Sequence, residues 1–144
     1  MIVRPNRWFM RSRRAAAAAE LALTLPVLML IVLGAVDFGR FLFSYIAVSN
    51  GARAGAGVGS MSSYTTASLV NWQGNIRNAV IDDMGQMYGF DASQLTVTST
   101  GVTEANGDWR AEVEVVYPFQ MIISWPGMPN TLTLRRTVSM RAIR

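Results

Sequence analysis

Between Ala15 and Val36 the chain runs for 22 residues with a single charged side chain, Glu20. From Leu21 to Val36 the one polar side chain is Thr24. At about 1.5 Å of rise per residue, a helix of this length crosses a hydrocarbon layer of roughly 30 Å. The core helix of a soluble domain would show polar residues at every turn. The pattern therefore predicts a membrane span, assigned to residues 16–44. Pro26 lies inside it and removes a backbone donor, which membrane helices tolerate better than soluble ones.

Beyond the span the periodicity changes twice. Ala47, Gly51, Gly55 and Gly59 recur every four residues and make a small-residue ridge. The ridge reads either as the place where the long helix docks on its own domain or as a subunit-packing surface. Residues 60–66 break the helix. Over 67–88, Leu69, Trp72, Ile76, Val80, Met84 and Met87 follow a 3-or-4 spacing, predicting a second helix with one core-facing side. From Leu95 the period becomes two. Strands are expected at Leu95 to Val102, Trp109 to Tyr117 and Thr131 to Ile143, the first two joined by an Asn106-Gly107 turn. Leu132, Leu134, Val138 and Met140 face inward in the third. The expected fold is α+β: one N-terminal transmembrane helix extended into a small domain with a second helix and a three-stranded antiparallel sheet.

Charge changes the picture by its location. All 13 basic residues are Arg, and Arg4, Arg7, Arg11, Arg13 and Arg14 precede the span. Without residues 1–15, eight Arg remain against nine acidic residues, so the basic balance belongs to the leader and not to a nucleic-acid surface. The same arginines place the N-terminus in the cytoplasm and the domain, residues 45–144, outside. The chain has no Cys and no His, which removes disulfides, thiolate chemistry and the commonest general base.

Basic residues, a run of small residues, Glu20 and then an unbroken apolar run look like the processing site of type IV pilin-like precursors. The continuation ELALTLPVLMLIVLGAVDFGRFLF resembles the opening segment of TadE-like pseudopilins, the minor pilins of the tight-adherence (Tad) pilus system. The resemblance is closest over Arg13 to Phe43. It implies a pilin-like domain and cleavage by a prepilin peptidase between Ala15 and Ala16, with residues 1–15 as the removed leader. Two positions depart from the family pattern: Ala15 stands where Gly is usual, and Leu21 where an aromatic is common. A carboxylate at the depth of Glu20 is tolerated when paired or when it reaches the headgroups. Either Glu20 snorkels, or it meets the new Ala16 amine of a neighbouring subunit and sets register; Ala16, Glu20 and Pro26 are the expected assembly residues.

The remaining candidates for chemistry are few. Glu112 and Glu114 share one side of a strand, where ion pairing with Arg135 or Arg141 is simpler than a paired-carboxylate site. Nucleophilic catalysis lacks both His and Lys as base, so no enzyme activity and no cofactor or metal is expected. The uncharged connection from Phe119 to Pro129 is an apolar loop, with Ile122, Ile123, Trp125 and Met128 as candidate contacts for a partner, the domain itself or the bilayer.

The expected role is a minor pilin supporting assembly of an adhesive pilus. It sits in the bacterial inner membrane or is incorporated in the pilus. The partners implied by the resemblance are a prepilin peptidase, the major pilin, a related minor pilin and the inner-membrane assembly platform; no nucleic acid or small-molecule substrate is implied. The alternative is a single-pass envelope protein whose exterior domain binds a ligand or secretion component without joining a filament.

Overall fold

The structure, a computed structural model, describes residues 7–142 other than 106 and 126. Arg4, Asn106 of the expected turn, Pro126 and Ile143 lie outside the described residues. The element order is α1 (Arg7–Met61), α2 (Leu69–Met84), β1 (Thr96–Thr103), β2 (Trp109–Gln120) and β3 (Thr131–Arg141). The architecture is α+β, as the periodicities require. The chain divides into two compact units, Met1–Phe38 and Gly39–Arg144, with α1 contributing to both.

In the first unit the large apolar side chains of α1 from Leu21 to Val36 stay open. Leu23 is 77% exposed, and Leu28, Leu30 and Ile31 are exposed as well. The Thr24 hydroxyl donates to the Leu21 carbonyl at 3.2 Å, so the polar side chain within the apolar run is satisfied by its own helix.

The second unit is a helix pair laid on a sheet. Its strands are ordered β1-β2-β3, antiparallel throughout, with Val113 opposite Ser99 on one side and Val138 on the other. Alternation along β2 buries Ala111, Val113, Val115, Tyr117 and Phe119. Onto this face come Val48, Ala52 and Ala56 of α1 and Trp72, Ile76, Val80 and Met84 of α2. Burying a side chain such as Ile76 contributes about 1.5–3 kcal/mol, and Ile76, Met84, Val48, Val80, Val113 and Val115 are the largest fully buried side chains of the core.

Several boundaries differ from the sequence expectation, and the first strand runs Thr96–Thr103 in place of Leu95 to Val102. The second helix begins at Leu69 and ends at Met84, short of residue 88: Gly85 N–H still donates to the Ile81 carbonyl at 2.8 Å, but Met87 N–H donates only three residues back, to the Met84 carbonyl at 2.9 Å, and the helical ladder stops. Met87 is buried all the same, from the turn rather than from the helix. The second strand continues past Tyr117 to Gln120, since Pro118 pairs opposite Thr133 with its side chain off the buried face.

A residue that the alternation argument passed over sits on the inner face of β3. Register places Arg136 opposite Val115, between Leu134 and Val138 on the same side. Arg136 is half-buried, and its Nε is buried without a hydrogen-bond partner among the described residues.

Candidate functional site

The processing stretch is helical from before Arg13 onward, and Ala15, Ala16 and Glu20 are all exposed on α1. Ala16 and Glu20 are four residues apart, one above the other on one helix face. Pro26 lies inside α1. At the exit of the apolar run Asp37 is buried, 5% exposed, while Phe38 is open.

The small-residue ridge is filled from within the domain. A Cβ on Gly51 would stand 2.8 Å from Met84 Cγ, and one on Gly55 would stand 2.7 Å from Val80 Cγ2. On Gly59 it would meet Ala111 Cβ and Ile76 Cδ1, both at 3.0 Å. Ala47 is half-buried beside the same core. Glycine here costs helix propensity of about 1 kcal/mol per position, offset by the close approach of α2 and β2.

An aromatic cluster closes α1 at its far end. Tyr64, Trp72 and Trp109 lie with ring centroids 4.7, 5.3 and 6.2 Å apart. The Trp72 indole donates to the carbonyls of Gly59 (3.2 Å) and Ser62 (2.9 Å), and Trp109 donates to Gly59 at 3.3 Å. These bonds satisfy carbonyls that the helix end leaves open. Tyr64 had no sequence signal beyond its place in a polar loop.

The opposite end of the same unit holds a cavity of about 540 Å³, lined by Arg40, Phe43 and Ser44 of α1, by Tyr88, and by Tyr117 and Phe119 of β2. The Arg40 guanidinium lies 5.4 Å from the Phe119 ring centroid, and Phe41 meets the same ring edge-on at 5.7 Å. The Tyr117 hydroxyl accepts the Asp91 N–H at 3.0 Å, while the Arg77 fork donates to the carbonyls of Ala92 (3.0 Å) and Leu95 (3.1 Å), pinning the chain between α2 and β1. The Asp91 carboxyl is held below its usual range by hydrogen bonds from the Ser93 side chain and backbone, then opposed by desolvation, with a smaller contribution from Gln94.

Glu114 on the sheet and Glu104 just beyond β1 pair as ions. Glu114 meets Arg135 at 3.0 Å across β2 and β3, and Glu104 takes Arg141 at 2.8 Å and Arg110 at 3.6 Å. Arg141 thus turns to Glu104 and not to the β2 glutamates. Among the described residues no three His, Cys, Asp or Glu side chains converge as metal ligands. In the loop after β2, Ile122 and Met128 are 63% and 55% exposed, whereas Ile123 and Trp125 are half-buried.

Against known proteins, residues 15–57 match the family model described as TadE-like protein. The match begins at the proposed cleavage residue and runs through the apolar helix to the glycine ridge. The N-terminal helix of this chain is TadE-like, a likeness that associates it with the Tad pilus system, and it has the length and composition of a membrane anchor. No curated protein and no solved structure gives a significant match.

Proposed function

We propose, from the TadE-like match over residues 15–57, that the chain is a minor pilin or pseudopilin supporting assembly of a Tad-type adhesive pilus. The observation that carries the reading is a single helix, Arg7–Met61, in which a lone acid at the start of an apolar run continues without interruption into a packed domain. Such a rod can lie in the bilayer as a reservoir and stack with like rods in a filament, while the domain it carries stays in water.

In this reading a prepilin peptidase cuts between Ala15 and Ala16 on the cytoplasmic side. Glu20 then stands near the start of a new helix, where the partial positive charge of the unpaired N–H groups favours a carboxylate. In an array of subunits it meets the Ala16 amine of the next copy, and the pair sets axial register. Glu20 is a positioning group, and no catalytic step, metal or cofactor is assigned to this chain. The partners are the peptidase, the major pilin, a related minor pilin and the inner-membrane platform.

Mass spectrometry of the protein from native cells tests the reading. Chains that begin at Ala16 are expected; an intact leader in functional protein points instead to a plain single-pass anchor with a binding domain. Glu20→Gln and Glu20→Ala are expected to insert and be cut, yet to be lost from assembled pili. Wild-type incorporation of both variants would rule out the register role.

A further inference from the structure

The cavity of the second unit takes its walls from three segments: Arg40 and Phe43 of α1, Tyr88 in the turn after α2, and Phe119 with Gln120 at the end of β2. All of its lining residues lie within Gly39–Arg144, so it is a property of that unit alone. A volume of about 540 Å³ is in the range that takes a small ligand or the tip of a loop. Among the described residues its walls carry one cation, Arg40, which lies over the Phe119 ring, and no Asp or Glu. The remaining polar groups include the carboxamides of Gln94 and Gln120. Such walls suit an apolar, uncharged occupant that offers peptide groups to the two amides.

Tyr88 stands 98% exposed at this cavity. The backbone beneath it is fixed by Met87 N–H to the Met84 carbonyl at 2.9 Å, by Phe90 N–H to the Met87 carbonyl at 3.1 Å, and by Gly89 at φ +73°. A tyrosine held open on a fixed turn offers a large contact area at little ordering cost.

The chain itself carries a segment of the required kind. The loop from β2 to β3, MIISWPGMPN over residues 121–130, contains no charged residue, and its Ile122 and Met128 are 63% and 55% exposed. It is closed by Met121 N–H to the Asn130 carbonyl at 2.9 Å and turned by Met128 N–H to the Trp125 carbonyl at 3.1 Å, with Gly127 at φ +82°. A loop already turned in this way loses little freedom on docking. It leaves β2 next to Gln120 at the cavity, yet among the described residues none from 121–130 lines that cavity. One chain therefore presents an uncharged apolar tip and an aromatic-walled cavity that its own tip does not fill.

We propose that residues 122–128 of one copy seat in the cavity of a second copy, with Ile122 and Met128 against Phe43, Tyr88 and Phe119. The contact joins unlike surfaces of two copies, the arrangement in which a projection on one matches a pocket elsewhere on the next. It lies wholly in the domain and is separate from the Glu20 pair, so its failure leaves leader cleavage and the register role untouched.

The absence of Cys makes the test direct. Full chains carrying Gln94→Cys at the cavity wall or Asn130→Cys at the base of the loop are purified in detergent, reconstituted together or separately in phospholipid vesicles, and treated with a short bismaleimide. The mixture is expected to give cross-linked dimer at several times the yield of either variant alone. Adding Met128→Asp to the Asn130→Cys chain should lower that yield several-fold, whereas Met128→Leu should retain it; Met128 is exposed, so neither change reaches the core. A mixture that gives no more dimer than the separate variants, or a yield indifferent to Met128→Asp, would leave the cavity to another occupant and overturn the proposal. Cross-linking confined to Asn130→Cys chains with one another would place loop against loop and overturn it as well.

Discussion

The two units of this chain use the same side chains to opposite ends. Met1–Phe38 keeps its leucines and valines from Leu21 to Val36 open around one helix, whereas Gly39–Arg144 turns Val48, Ile76, Val80, Val113 and Val115 wholly inward. An apolar residue needs to leave water, but it does not matter to the hydrophobic effect whether lipid or protein receives it. What distinguishes the units is periodicity. A helix apolar on every side cannot be covered by one small sheet, while stripes at 3-or-4 spacing and alternating strands can be covered by each other.

The largest expected effect separates the two solvents. Ile76→Ala should destabilise the domain by about 2–5 kcal/mol while leaving insertion unchanged. Leu28→Asp should disfavour insertion by about 3 kcal/mol and leave the domain core intact. Near-ultraviolet circular dichroism melts of the full chain in detergent report the first, and glycosylation-reporter insertion assays the second. If both variants perturbed both measurements equally, the division into two independently satisfied units would be wrong.

A smaller effect probes the seam between α1 and α2. At Gly55 an added methyl must displace Val80 and Ile76, an overpacking cost of about 1–3 kcal/mol reduced by about 1 kcal/mol of helix propensity. At Gly57 nothing stands within 4 Å of the added Cβ. Gly55→Ala should therefore lower the melting midpoint and Gly57→Ala raise it, although the two positions lie on one helix. A matching shift in both would mean that the ridge is not packed as described.

Smaller again is the Glu114–Arg135 pair on the polar face of the sheet, where Arg135 is 65% exposed. Arg135→Ala should cost about 0.2–1 kcal/mol, shrinking as salt is added. A salt-independent loss would assign the arginine a packing role instead.

The weakest expected effect is a pH dependence at Asp91. Its carboxylate is favoured in the fold by Ser93, so its contribution is present above the unfolded value of 3.8 and fades as the pH falls through the lower folded value. Asp91→Asn should remove that acid-side slope, lowering the neutral-pH melting midpoint slightly and converging on wild type at low pH. An unchanged slope in the variant would place the acid sensitivity elsewhere.

Particular residues show how far local pattern reaches. Trp72, Ile76, Val80 and Met84 were legible as one stripe, and so was the alternation of β2, because burial repeats with the geometry of each element. The TadE-like stretch was legible too, since its order of charge, small residues and apolar residues is itself linear. Arg136 escaped because Arg135 beside it satisfies the polar side of the alternation, leaving the second arginine to be assigned by register. Tyr64 and Arg77 escaped because their partners, the indoles of Trp72 and Trp109 and the carbonyls of Ala92 and Leu95, come from other elements.

Sequence alone thus determined what each segment must avoid: the 22-residue run from Ala15 to Val36 must leave water on all sides, and the later segments on one side only. Composition and period suffice for that, because hydration is a local cost. Which faces meet, and that the glycine ridge receives Met84 and Val80, were decided by tertiary structure. Those facts depend on the antiparallel course of α1, α2 and β2, a property of segments far apart in the chain that no window along it contains.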